Sequence, residues 1–253
     1  MHQTTAPKTR VVILAAGKGT RMKAERPKAL TPVAGKPILQ HLLDAVSASG
    51  LDPRPVVVVG YKGEDVCAAM GTRCDYAVQT EQLGTGHAVA AAHDAAGDAA
   101  EIIVLYGDHP FISAETIRRL EARHRERGNV VTLMTATVPD FDGWHGAFER
   151  WGRILRGPDG HVTGIREYKD ATEEERAIRE VNPSLFCFDA AWLWKNVAEL
   201  RNENAQKEYY LVDLVATAVE QGEKISSIDV PPEEVIGVNT PDELAVAERL
   251  HAV

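Results

Sequence analysis

Gly17 and Gly19 follow directly on an apolar run and bracket a lysine, in the segment Gly17-Lys18-Gly19-Thr20-Arg21-Met22. Two glycines let a backbone approach an anion closely, and the amides of such a loop can point at phosphate. The same residues also make an ordinary turn. Residues 8–28 hold seven basic side chains (Lys8, Arg10, Lys18, Arg21, Lys23, Arg26 and Lys28), and Glu25 is the only acid among them. A basic cluster on an acidic chain suits a polyphosphate. Lys8, Arg10 and Lys23 read as its solvated fringe, whereas Lys28 follows Pro27, whose fixed φ can aim the lysine inward. A second apolar run ends in Tyr106-Gly107-Asp108. Beside phosphate-binding elements a carboxylate there suits Mg²⁺, which takes one or two carboxylates plus phosphate oxygens; alone, it suits a turn equally well. The loop lacks the spacing of a Walker motif. It also lacks the dinucleotide fingerprint, because Met22 stands where a third glycine belongs.

These residues need elements to position them. The runs Val11–Ala16, Val56–Val59 and Ile102–Tyr106 are apolar, largely β-branched and each followed by glycine, the pattern of strands buried on both faces. Helical patterns lie between them. Ile38, Leu39, Leu42, Leu43 and Val46 share one helical face. Residues 113–127 run from Ser113 as N-cap to Gly128. The Ala-rich stretch 88–100 predicts a helix, and 209–221 another. Arg153–Arg156 and His161–Tyr168 predict a hairpin across Gly157-Pro158-Asp159-Gly160. The last helix starts at Thr240-Pro241-Asp242-Glu243, a capping box with proline at the first position. The alternation predicts an α/β fold with helices on both faces of a sheet. No linker interrupts 1–253, so one domain is expected, with residues 1–10 as a flexible tail. Ligands of such sheets sit outside the carboxyl ends of the strands, where the glycine loop and Asp108 lie.

The composition excludes several classes. The 253 residues carry 28 Lys+Arg against 37 Asp+Glu, a net charge of −9, which argues against a nucleic-acid binder. No apolar run reaches the ~18–20 residues that span a bilayer, so no membrane partner is expected. The segment MHQTTAPKTR has no apolar core for a secretory signal. Cys67, Cys74 and Cys187 form no C-x-x-C pair and read as free thiols of a reducing compartment, the cytoplasm.

Leu14-Ala15-Ala16-Gly17-Lys18-Gly19-Thr20-Arg21-Met22 with Pro27-Lys28 resembles the signature of the nucleoside-diphosphate-sugar pyrophosphorylases. Within that family the chain is most similar to the uridyltransferase domain of the bifunctional bacterial enzymes that make UDP-N-acetylglucosamine. Residues 79–88, Tyr106-Gly107-Asp108, Gly152-Arg153-Ile154, Glu167–Thr172, Glu208-Tyr209-Tyr210 and Gly237-Val238-Asn239 carry that likeness in family order. The resemblance implies a Rossmann-like (glycosyltransferase-A-like) nucleotidyltransferase fold, with a mostly parallel central sheet and a small hairpin region for the sugar. It implies a Mg²⁺-dependent transfer from UTP to N-acetylglucosamine-1-phosphate, giving UDP-N-acetylglucosamine and pyrophosphate. By the same resemblance, Leu14, Ala15, Ala16, Gly17, Gln79, Gly84 and Thr85 would bind the nucleotide, with Gln79 on the uracil edge. Arg21 and Lys28 would contact the triphosphate and act with Asp108 in catalysis. Asp108 and Asn239 would hold Mg²⁺. Tyr106, Gly107, Gly152, Glu167 and Asn182 would face the sugar. His87 reads as a plain first-turn helix residue.

Four features depart from the family pattern. Pro183-Ser184 follow Asn182 where the family reads Thr-Gly. His109 follows Asp108 where a smaller residue is usual, and reads as a bystander. Residues 141–148 form an insertion whose aromatics read as a local mini-core, the alternative being a lid over the sugar. Val212 replaces a threonine. Within the chain no hexapeptide repeats occur, so neither acetyltransfer nor a β-helix trimerisation domain is expected of it. The alternatives to the UTP and N-acetylglucosamine-1-phosphate reading are the same chemistry on another sugar-1-phosphate, such as glucose-1-phosphate, and a non-catalytic nucleotide-sugar-binding module.

Overall fold

Val11, Val12 and Ile13 are all fully buried, which requires packing on both faces of their strand. The computed structural model describes residues 8–22, 25–204 and 206–251. Its strands are β1 (Thr9–Leu14), β2 (Pro32–Val33), β3 (Lys36–Pro37), β4 (Val56–Val59), β5 (Asp75–Val78), β6 (Glu101–Tyr106), β7 (Val131–Thr137), β8 (Gly152–Arg156), β9 (Val162–Arg166), β10 (Glu180–Asn182), β11 (Phe186–Asp189) and β12 (Ile225–Asp229). Its helices are α1 (Ile38–Ser49), α2 (Gly63–Met70), α3 (Thr85–Ala91), α4 (His93–Ala96), α5 (Ala114–Arg127), α6 (Glu173–Arg176), α7 (Ala190–Val197), α8 (Asp213–Glu220) and α9 (Pro241–Leu250).

Strands β5, β4, β1 and β6 lie side by side and parallel. Successive side chains of a strand point to opposite faces. Val11 and Ile13 of β1, Val57 and Val59 of β4, and Ile103 and Leu105 of β6 enter one apolar cluster, with Leu39 and Leu42 of α1 and Leu120 of α5. Val12, Val56, Val58, Ile102 and Val104 enter a second on the other face, with Val89 of α3, Leu193 of α7 and Leu214 of α8. This two-sided burial is why these runs show no polar alternation.

Beyond β6 the sheet changes direction. β11 is antiparallel to both β6 and β7, β10 pairs antiparallel with β7 and β8, β9 pairs antiparallel with β8, and β12 runs parallel to β7. The expected hairpin is β8–β9. β10 and β11 follow the same partner with a break. Glu180 and Val181 face Thr137 and Ala136, and Phe186 faces Leu133. Residues 182–185 therefore cover the stretch that Thr135 and Met134 cover on β7, and the excess bulges out. Asn182, Pro183 and Ser184 occupy that bulge.

The predicted caps form. Ser113 Oγ accepts from Thr116 N at 3.1 Å, and Gly128 closes α5 in the left-handed region. Thr240 and Glu243 make the reciprocal box of α9, with Pro241 in its first turn. Other expectations shift. The Ala-rich stretch splits into α3 and α4, and α8 begins at Asp213, because Tyr209 is bonded to Leu83 and Gly86 and the chain turns at 211–212 before the helix. Lys23 and residues 1–7 lie outside the described residues. Thr9 and Arg10 belong to β1 rather than to a tail, and Arg10 is no solvated fringe. Its guanidinium is buried against Asp52 at 3.2 Å and Asp75 at 3.1 Å. A charge can be buried when carboxylates meet it, and these lie on segments distant in sequence. Among the described residues no helix is long and apolar enough to cross a membrane.

Candidate active site

The turns after β1, β5 and β6 open on the same end of the parallel strands. Ala15 N donates to Val58 O at 2.9 Å, Gln79 N to Val59 O at 2.8 Å, and Gly107 N to Leu14 O at 2.9 Å, so the three chain exits are stitched together. Gly107 must be glycine for this, since a Cβ would stand 2.8 Å from the Leu14 carbonyl oxygen. Its part is close approach; it lines neither of the cavities described next. Ala15 likewise packs against the apolar cluster of α1 and α5 and lines neither cavity.

Two cavities meet here. One, of about 240 Å³, is bordered by Leu14, Ala16, Gly17, Gln79, Gly84 and Thr85, and also by Lys28, Gln82, Ala88 and Glu208. The other, of about 340 Å³, is bordered by Arg21, Gly152, Glu167, Asn182 and Asn239, and also by His109, Arg150, Trp151, Pro183 and Ser184. Tyr106 and Asp108 border both.

At the junction, Lys28 Nζ lies 2.8 Å from Asp108 Oδ2 and 2.8 Å from Asn239 Oδ1, while Arg21 Nη2 lies 3.2 Å from the same Asn239 oxygen. Gly19, at φ +60, brings its loop against Lys28, where a Cβ would be 2.7 Å from Lys28 Cβ. Val238 N donates to the Asp108 carbonyl at 2.9 Å. Glu243 of the capping box accepts from Asn239 N at 2.6 Å. A helix cap read from local sequence thus orients a residue of the site. Burial pushes the Asp108 carboxyl pKa upward, but the charge and hydrogen bond of the Lys28 ammonium outweigh it and bring it down to about 2. Asp108 is therefore an anion at any working pH. Its Oδ1 is buried and has no hydrogen-bond partner among the described residues.

In the smaller cavity Gln79 is 4 % exposed. Its Nε2 donates to Gly84 O at 3.1 Å and meets His87 Nδ1 at 3.1 Å. His87 is thus a partner of Gln79 and more than a first-turn helix residue. The loop before α3 is clamped by residues 209–211. Gly86 N donates to Tyr209 O at 2.8 Å, Tyr209 N to Leu83 O at 2.8 Å, and Leu211 N to Thr85 Oγ1 at 2.9 Å. Gly84 has φ +115, and a Cβ there would lie 2.6 and 2.7 Å from Tyr209 backbone atoms. Gly84→Ala is expected to lower unfolding free energy by about 3 kcal/mol and weaken nucleotide binding; urea denaturation and calorimetric titration check both.

In the larger cavity Gly152 lets Glu167 approach, for a Cβ would be 3.2 Å from Glu167 Oε1. Burial raises the Glu167 pKa, helped by Asp213 and Asp170. Burial also raises that of Tyr106, whose hydroxyl meets Thr85 and Ser184. Asn182 Oδ1 accepts from Ser184 N at 2.9 Å, holding Ser184 at φ +61, in the left-handed region that favours glycine. The aromatics of 141–148 form no separate mini-core: Phe148 belongs to the apolar cluster of α1 and α5, with Phe141 and Trp144 packed against it. Phe148 is fully buried and packs edge-on against Trp151 at 4.7 Å and Trp144 at 5.9 Å, while Gly146 and Ala147 border the cavity. Val212 is buried in the apolar cluster with Leu211 and Val215. Arg150, Gln82 and Glu208 were legible only as neighbours of Gly152, Gly84 and Tyr209. His109, read as a bystander, is buried beside Asp108.

The model of the MobA-like NTP transferase domain matches residues 11–210. The chain is 44% identical over 243 residues to the bifunctional protein GlmU of Brevibacillus brevis, covering 95% of this chain and 51% of that protein. It is 42% identical over 252 residues to GlmU of Heliobacterium modesticaldum, covering 99% and 52%. The chain spans about half the length of these curated relatives. Among solved structures, a putative glucose-1-phosphate thymidylyltransferase from Bacillus anthracis superposes with a TM-score of 0.74 at 18% identity, over 96% of this chain and 94% of that one. A CMP:2-keto-3-deoxy-manno-octonic acid synthetase complexed with CTP superposes at 0.69 and 18% identity, over 97% and 98%. These two carry the fold alone, an α/β nucleotidyltransferase fold of the glycosyltransferase-A-like kind.

Proposed function

The chain belongs to the MobA-like NTP transferase family, and from that premise we propose that it transfers uridylyl from UTP to N-acetylglucosamine-1-phosphate, releasing pyrophosphate. The observation that carries this reading is that two cavities share Asp108 and Tyr106, with Lys28, Arg21 and Asn239 at their junction. A nucleotide in the smaller cavity and a sugar phosphate in the larger would bring two phosphates together at that junction. Leu14, Ala16, Gly17, Gln79, Gly84 and Thr85 hold the nucleotide, with Gln79 on the base. Gly152, Glu167 and Asn182 face the sugar.

The chemistry follows from phosphate charge. The attacking oxygen belongs to a phosphate monoester, whose second pKa is about 6, so it is anionic near neutral pH and needs no general base. It attacks the α-phosphorus; the bond to the pyrophosphate oxygen breaks, and the leaving group departs with that electron pair. The barrier is repulsion between anions together with charge on the departing group. Lys28 and Arg21 answer both by neutralising and aligning phosphate oxygens. Asp108 and Asn239 offer a carboxylate and a carboxamide oxygen, the hard donors that Mg²⁺ takes alongside phosphate. The partnerless Asp108 Oδ1 is a donor such an ion would satisfy. When bound, Mg²⁺ supplies charge neutralisation and orientation of the phosphates. The free thiols suit a reducing cytoplasm.

Pyrophosphate release by the purified chain with Mg²⁺, UTP and N-acetylglucosamine-1-phosphate, beside a panel of other nucleotides and sugar phosphates, tests this. The named pair is expected to exceed the others at least tenfold in kcat/KM. A second acceptor has one observation in its favour: the Pro183-Ser184 bulge, with Ser184 at a positive φ, borders the larger cavity. Release only with another sugar-1-phosphate would keep the mechanism and move the acceptor. Tight binding without release would make the chain a binding module.

A further inference from the structure

His109 is 4 % exposed, yet its ring borders the larger cavity. Its Nδ1 lies 2.8 Å from the Val235 carbonyl oxygen. A carbonyl can only accept, so Nδ1 carries the proton, and in the neutral form of the ring the lone pair is therefore at Nε2. That Nε2 lies 3.5 Å from Asp108 Oδ1. Asp108 Oδ1 is buried and without a hydrogen-bond partner among the described residues, while Oδ2 is engaged by Lys28. Two electron-pair donors thus face each other, an arrangement that repels unless a cation stands with them. A proton on Nε2 does not close the gap well, because charge-assisted N–H···O bonds run about 2.7–2.9 Å. A metal ion does. With metal–ligand bonds of about 2.1–2.2 Å and angles of about 90–110°, donors on neighbouring coordination sites lie about 3.0–3.6 Å apart, a range that takes in the 3.5 Å found here. An imidazole N–H on a backbone carbonyl is also how metal-ligating histidines are held. Gly237 lets the Asn239 side chain lie close to the His109 ring: a Cβ there would be 3.3 Å from Asn239 Nδ2 and 3.4 Å from His109 Cε1, while the Asn239 donor oxygen Oδ1 sits with Lys28 and Arg21.

We propose that His109, through Nε2, is a third protein ligand beside Asp108 and Asn239 for the divalent cation of this site. A nitrogen donor shifts the site toward Mn²⁺ and Co²⁺ relative to Mg²⁺, which prefers oxygen alone. The inference rests on the proposed function only in that Asp108 holds a cation; it does not depend on the base or the sugar.

Pulsed electron paramagnetic resonance tests it on the untagged full chain, with Mn²⁺ and inorganic pyrophosphate, a probe that contains no nitrogen. The wild type is expected to show coupling from one directly bound imidazole nitrogen. In His109→Gln that coupling disappears while Mn²⁺ still binds, and the ratio of Mn²⁺ to Mg²⁺ affinity falls about tenfold. His109→Thr gives the same readout if the glutamine variant is unstable. A wild-type spectrum without imidazole coupling overturns the assignment, whatever the variants do, and leaves the proposed reaction standing. Coupling that survives in either folded variant overturns it too. Failure to turn over UTP with any sugar phosphate, with the coupling present, removes the proposed reaction and leaves His109 as a ligand.

Discussion

Replacing Asp108 with asparagine is expected to lower kcat about 10³-fold, roughly 4 kcal/mol of barrier, with the fold intact. The substitution keeps the shape of the side chain and removes its charge. That charge is present throughout the neutral range, since the carboxyl pKa lies near 2. The fall is therefore expected to be the same across that range. Asp108 lies where the two cavities meet and is tied to Val238 through its backbone carbonyl, so the amide variant keeps its place. Pyrophosphate release measures the effect, and circular dichroism with urea denaturation shows whether the protein is still folded. Turnover within tenfold of wild type in the folded variant would remove Asp108 from the machinery.

Lys28→Met is expected to cost about 10²-fold to 10³-fold in kcat, with a smaller change in KM for the nucleotide. Methionine keeps the apolar stem that packs against Gly19 and deletes the ammonium that joins Asp108 Oδ2 to Asn239 Oδ1. The loss leaves Asp108 a partly buried carboxylate without its cation, so part of the effect passes through Asp108. The double variant Asp108→Asn with Lys28→Met is accordingly expected to lose little more than the worse single one. A double-mutant cycle reads this directly. Fully additive losses would mean that the two groups act separately, despite their 2.8 Å contact.

Much of the fold was legible because it rests on near neighbours in the chain. The unbroken valines of β4 could only be a strand buried on both faces, and the sheet buries them so. Thr240 to Glu243 could be read as a cap; that Glu243 also holds Asn239 could not. Ser113 and Gly128 bounded α5 as expected. The antiparallel insertion of β11 was not legible, because Phe186–Asp189 is apolar whichever direction it runs, and its partners in β6 and β7 lie far back in the chain.

The candidate site divides in the same way. Lys28, Asp108 and Asn239 could be named from motif and resemblance, and the structure brings Asp108 and Asn239 each within hydrogen-bond distance of Lys28. His109, Arg10 and the Tyr209 clamp could not. Each depends on a partner more than 40 positions away: Val235 for His109, Asp52 for Arg10, the loop before α3 for Tyr209.

By itself the sequence determined that β1, β4 and β6 are buried strands and β8–β9 a hairpin, that α1, α5 and α9 are helices, where α5 and α9 are capped, and which residues stand at the carboxyl ends of β1 and β6. Those properties follow from backbone preference and from which side of a local element must be apolar. Only the tertiary structure decided that Ala15 and Gly107 line neither cavity while His109 borders one. It also decided that Pro183 and Ser184 bulge, and that the two cavities meet at Asp108 and Tyr106. These depend on the register between distant strands and on how loops close across them. A one-residue change in register turns every side chain to the opposite face, and no local pattern in these loops encodes it.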